Sequence, residues 1–175
     1  MLDTFPDSFR PDLPQLNQHG VLPPGDYAPD RASFEARFVS TDGSSARQEI
    51  YASWNRHRRD LLRNNLPQSA HQLLNGSFTT AKEVPGDMDL VVEVPIDEDM
   101  STQLQALAPV IALLQGPAMK PLYKCDAYPI YSLPPDHEFY ERVTVAAIRY
   151  WTKWFGQTRT GSPKGRVWTT VGGLK

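Results

Sequence analysis

Gly76-Ser77-Phe78-Thr79-Thr80-Ala81-Lys82-Glu83-Val84-Pro85-Gly86-Asp87-Met88-Asp89-Leu90 is the stretch on which the fold turns. It leads into a run over 88–94 that is dense in β-branched residues, the signature of a strand. Alternate strand residues share a face about 6–7 Å apart. Met88, Leu90, Val92 and Val94 therefore face a core, while Asp87 and Asp89 face the other way together. Two carboxylates on one face repel each other unless a cation or water separates them. A hard divalent ion such as Mg²⁺ is held by one or two carboxylates together with substrate phosphate oxygens. Glu93 shares that face but lies about 13 Å beyond Asp89 at strand rise, too far to bind the same ion. At the other end, Gly76 lets a phosphate approach the backbone, and the Ser77 hydroxyl with free N–H groups can cradle triphosphate oxygens. Phe78 to Gly86 is nine residues, enough for the chain to return to an adjacent strand. A third carboxylate would complete a two-metal arrangement. Asp126, in Cys125-Asp126-Ala127, is the candidate.

Working outward, helical and extended patterns surround this segment. Asp30 begins a short helical pattern with Phe34 and Phe38 four apart. Thr41-Asp42-Gly43-Ser44-Ser45 breaks it and offers a new N-cap. A longer helix is predicted over 45–63, with Ile50, Trp54 and Leu61 on one face and Tyr51 and Leu62 at its margin. Leu73-Leu74 is a short apolar run. Asp97 or Ser101 can cap a helix that carries Leu104, Leu107, Val110, Ile111 and Leu114 and is interrupted by Pro109. A third strand is expected over 122–131 and an amphipathic helix over 136–155, with Gly156 as its C-cap. A final strand is expected over 167–171. Six of the 16 prolines fall in the first 29 residues, which excludes a regular helix or a central strand there. The expected organisation is a proline-rich, partly flexible leader over 1–22 and one domain over 23–175. Its class is α/β (α+β), a mixed β-sheet flanked by helices.

Composition sets the outer limits. A chain of 175 residues suits one domain. Lys and Arg number 18 against 20 Asp and Glu, a net charge of -2, which excludes a nucleic-acid module driven by bulk charge. The single cysteine excludes a disulfide framework and a multi-cysteine metal cage. No segment reaches the ~18 apolar residues of a membrane span, and the first 20 residues lack the apolar core of a signal peptide. The expectation is a reducing, cytoplasmic setting without membrane contact.

The Gly-Ser pair, the spacer, Asp-x-Asp on an apolar strand and a later strand carboxylate together resemble the nucleotidyltransferase fold of the DNA polymerase β superfamily. The match spans about 73–131. The start at Leu22-Pro-Pro-Gly25 and the ending from Trp154-Phe155-Gly156 to Lys164-Gly165 are similar to a group of small bacterial proteins with this core. The resemblance implies that Gly76 and Ser77 bind the β- and γ-phosphates of a nucleoside triphosphate. Asp87 and Asp89 would hold Mg²⁺ (or Mn²⁺), and Asp126 would complete the second metal site and help deprotonate the attacking hydroxyl. The implied reaction moves an NMP to a hydroxyl of RNA, protein or a small molecule. The Ser77–Asp87 spacer is short for this superfamily, and the 49 residues after Asp126 do not suit a processive polymerase. The alternative reading is a catalytically silent binding protein with this fold, acting with a protein partner of the toxin–antitoxin or defence-system type.

Other residues have two readings each. Lys82, Arg159 and Lys164 could reach a triphosphate or simply lie on the surface. Asp126 could be a turn-former before Tyr128-Pro129. The Arg56, Arg58, Arg59 and Arg63 cluster could steer RNA, but a solvated helix face is the plainer expectation. His57 is expected to be packed, and Cys125 to be a small buried hydrophobe. Tyr150, Trp151, Trp154 and Phe155 could stack on a base, though their helical spacing is the pattern of core packing.

Overall fold

The computed structural model describes residues 4–6, 8–40, 45–96, 103 and 105–174. Its centre is a mixed five-stranded sheet, and with the five α-helices of the described residues the fold is α+β. The strands are β1 (Asp26–Tyr27), β2 (His71–Asn75), β3 (Met88–Pro95), β4 (Cys125–Ser132) and β5 (Arg166–Thr170). The helices are α1 (Arg31–Phe38), α2 (Ser45–Arg63), α3 (Ala108–Ala112), α4 (Lys120–Tyr123) and α5 (Ala146–Phe155). In space the strands run β1-β5-β2-β3-β4. The pairs β1–β5 and β3–β4 are parallel, whereas β5–β2 and β2–β3 are antiparallel.

Strand alternation assigns the two faces. Leu74, Met88, Leu90, Val92, Val94, Ala127 and Val167 enter the larger core with Phe34, Phe38, Ile50, Trp54 and Leu61 from α1 and α2. Leu73, Val91, Ile130 and Trp168 face the other way and pack against Ile148 and Phe155 of α5. The sheet is therefore sandwiched, and its continuous Val/Leu runs follow from burial on both faces.

Local chemistry explains the helix ends. Asp30 caps α1, its Oδ1 accepting from Ser33 N at 2.6 Å. α2 stops where Asn65 takes φ 67°, a conformation that asparagine tolerates better than most residues. The cap expected within 41–44 lies outside the described residues, as do Asp97, Ser101 and Leu104.

Three expectations need correction. The third strand begins at Cys125, not at 122, because Pro121 suits the first turn of α4 and Lys124, at φ 50°, ends that helix. The last long helix does not start near 136. A π-helical turn spans Glu141–Val145 and α5 proper follows it. The arginines of α2 do not all face solvent: Arg58 is buried, donating from Nε to the Val171 carbonyl at 3.1 Å. The described residues of the 1–22 leader lie against the sheet through their apolar side chains. Phe5 stacks on His71 with centroids 4.8 Å apart, Phe9 lies 5.8 Å from Trp168, and Leu13 and Leu16 reach the main core. Proline spoils regular backbone pairing but leaves neighbouring side chains able to bury apolar area.

Candidate active site

One edge of the sheet gathers the polar residues. β2 ends there at Asn75, β3 and β4 begin there, and β5 enters there after Lys164-Gly165. Asp89 is in register with Asn75 on one side and with Asp126 on the other. By alternation Asp89 and Asp126 lie on the face of Val91 and Ile130, the face that α5 covers further along the strands. The side chains at the rim are thus carried by rigid strands whose apolar continuation is packed.

Gly76 touches this rim directly. It leaves β2 at φ 82°, and a Cβ there would sit 2.2 Å from Asp89 Oδ2. Only glycine allows both the backbone conformation and the approach. Ser77 then opens a short 3₁₀ turn, Ser77–Thr79. The loop that follows is held from beneath by Arg47 of α2, which is 2% exposed. Its guanidinium donates to the carbonyls of Phe38 (2.8 Å), Phe78 (2.7 Å), Thr80 (2.8 Å) and Lys82 (2.5 Å).

Electrostatics are dominated by crowded carboxylates. Burial, then Asp87, then Asp126 push the Asp89 carboxyl up to about 6. Lys120 Nζ lies 2.6 Å from Asp87 Oδ2 and 3.2 Å from Asp126 Oδ1, and the Asp87 bond holds its ammonium firmly charged. Asp126 Oδ1 is buried, and its contact with Lys120 adds to the hold on that ammonium. Lys164 is buried, and burial pushes it down to about 8 while Asp89 acts to hold its charge. Cys125, facing the opposite core, is pushed up to about 12 by burial and then by Asp126, which keeps it an inert thiol.

The residues expected from sequence fall into two groups. Gly76, Asp87, Asp89, Asp126 and Lys164 come together at this edge, with Ser77 opening the adjoining turn. Lys82 and Arg159 are exposed, and among the described residues no ion pair joins either to the aspartates. Lys82 contributes its carbonyl to Arg47 instead. Glu93 is occupied elsewhere, its Oε2 2.6 Å from His71 Nδ1. His57 is packed, with Nε2 2.7 Å from the Leu113 carbonyl. The residues that sequence reasoning missed are Lys120, Arg47 and Tyr128. Nothing in Met119-Lys120-Pro121 marks a lysine aimed at two aspartates, and Arg47 resembles any other charge on an amphipathic helix.

The family model of DUF6932, a family of unknown function, matches residues 14–170. This chain belongs to that family. No curated protein and no solved structure matches it. In this DUF6932 member the matched span holds every residue of the carboxylate edge, including Lys120 and Lys164. Among its described residues no group of three or more His, Cys, Asp or Glu side chains is arranged to hold a metal ion, and Lys120 engages two of the three aspartates. In kind, the donors suit a hard divalent cation, because they are carboxylate oxygens. Among the described residues of the DUF6932 chain no helix is long and apolar enough to cross a membrane.

Proposed function

We propose that the protein is a Mg²⁺- or Mn²⁺-dependent nucleotidyltransferase that moves an NMP from an NTP to a hydroxyl of RNA, protein or a small molecule. The carrying observation is the convergence of Asp87, Asp89 and Asp126 on one strand edge with the bare backbone of Gly76 against Asp89. In this reading Asp87, Asp89 and Asp126 would hold the metal, which when bound would neutralise phosphate charge and lower the pKa of the acceptor hydroxyl. Gly76 and Ser77 receive the β- and γ-phosphates, and Lys164 adds a buried positive charge. The acceptor oxygen bonds to the α-phosphorus as the bond from that phosphorus to its bridging oxygen breaks. Pyrophosphate leaves, and Asp126 takes the hydroxyl proton.

The test is transfer of label from α-³²P NTPs to macromolecules or small molecules of a cell extract, with Mg²⁺ or Mn²⁺. Asp87→Asn and Asp89→Asn should each lower transfer by at least about a hundredfold, the scale for losing one charge-stabilising group. Equal transfer by wild type and both variants would defeat the assignment. A second reading is favoured by Lys120, whose ammonium already bridges Asp87 and Asp126. A chain that keeps this bridge would bind nucleotide or a protein partner without turnover. Nucleotide binding without label transfer to any acceptor would support it.

A further inference from the structure

Among the described residues, α5 carries the most exposed large aromatic side chains, Tyr150 and Trp154. Ile148, Thr152 and Phe155 are buried against the sheet. At 100° per residue Trp151, Trp154 and Tyr150 fan outward from that stripe along one flank. Trp151 is half-buried, while Tyr150 and Trp154 are 58% and 59% exposed. This corrects the expectation that the whole cluster packs in the core.

The flank leads to the carboxylates. Trp151 meets Tyr128 of β4 with centroids 4.8 Å apart, and Tyr150 stands edge-on to Trp151 at 5.1 Å. Tyr128 lies two residues after Asp126 on the same strand face. The direction of the helix matters equally. Thr144, just before α5, accepts from Leu133 N at 2.9 Å and donates to the Tyr131 carbonyl at 3.1 Å, at the far end of β4. The Gly156 carbonyl, at its other end, accepts from Lys164 N at 2.8 Å. The helix therefore runs back along β4 toward the carboxylate edge. Three helical residues advance about 4.5 Å and two strand residues about 6.6 Å. Starting from the Trp151–Tyr128 contact, Trp154 thus approaches the level of Asp126.

We infer that Tyr128, Tyr150, Trp151 and Trp154 form the nucleobase subsite of the carboxylate edge, an aromatic wall on which the base of a nucleoside triphosphate stacks. The inference rests on the proposed triphosphate site and names where the remainder of that ligand lies. Every base offers a π-face, so the wall selects for a base without choosing among bases. Rings joined to the core through Trp151 and Phe155, 5.4 Å apart, are held in place before a ligand arrives, which lowers the ordering cost of binding.

Calorimetry with Mn²⁺-ATP and with Mn²⁺-tripolyphosphate tests it, on wild type and on Tyr150→Ala, Trp154→Ala and Trp151→Leu. Tyr150 and Trp154 are exposed, so their variants should keep the wild-type melting temperature. Wild type should bind ATP more tightly than tripolyphosphate. Removal of either exposed ring should weaken ATP about tenfold, within the range for losing one base–aromatic stack, and leave tripolyphosphate unchanged. Equal affinity of wild type for the two ligands, or an equal change for both in the variants, overturns the subsite and leaves the triphosphate site standing. If wild type binds neither ligand, both readings fail.

Discussion

Asp89 and Lys164 set opposing limits on ligand binding. Asp89 titrates near 6 and Lys164 near 8, so carboxylate and ammonium are both charged only between those values. Affinity for Mn²⁺-ATP should climb from pH 5 to 7 and decline above pH 8, read by calorimetry in buffers of constant ionic strength. The same shift has a consequence for stability. A raised carboxyl pKa means that the folded chain binds this proton more tightly than the unfolded one. The resulting stabilisation is complete below the ordinary value of 3.8 and is lost as pH rises through about 6. Asp89→Asn should therefore stabilise the metal-free protein by about 2 kcal/mol at pH 7.5, with the gain vanishing near pH 4 in urea titrations. Gly76 is constrained in the opposite sense. Gly76→Ala places a methyl carbon on Asp89 at a φ that alanine rarely adopts, and should cost about 2–3 kcal/mol in the same titration.

At the level of elements, the loop that follows Gly76 meets the leader at the isolated Val21–Thr80 bridge and leans on Arg47 of α2. Arg47 donates to four carbonyls, those of Phe38 and Phe78 in buried bonds, and leaving a buried acceptor without its donor costs about 1–3 kcal/mol. Arg47→Met should lower the melting temperature and speed amide exchange across 77–82 more than across β3. The sequence announces α2 itself well: Ile50, Trp54 and Leu61 recur at helical spacing, and the structure has the helix at Ser45–Arg63. It does not announce Arg47 or Arg58 as buried, because their partners are carbonyls 31 and 113 residues away. The same holds for α5. Its helical period was legible, but which side of it the sheet would cover was not, so Tyr150 and Trp154 read as core.

Across the whole molecule, the candidate site joins residues from β2, β3, α4, β4 and the entry to β5. Lys120 is the element of that assembly most open to test. Its ammonium lies between Asp87 and Asp126, and Lys120→Met would leave those carboxylates facing each other without a cation. The variant should melt lower than wild type in EDTA and gain more from added Mn²⁺ in a thermal-shift series. An unchanged Mn²⁺ response would show that the lysine does not compete for the carboxylates.

Side-chain period and turn chemistry are local, and they sufficed for β3, for α1 and α2, and for setting Asp89 opposite Met88 and Leu90 with Gly76 a short loop away. Strand pairing is not local. The register of Asp89 with Asp126, the reach of Lys120 into the acidic edge, and the flank that α5 leaves open depend on how distant segments pack. By itself the chain's order of residues determined its elements and its acidic motif; only tertiary packing decided which groups share the edge, because contact between remote segments follows from burial of both sheet faces rather than from spacing along the chain.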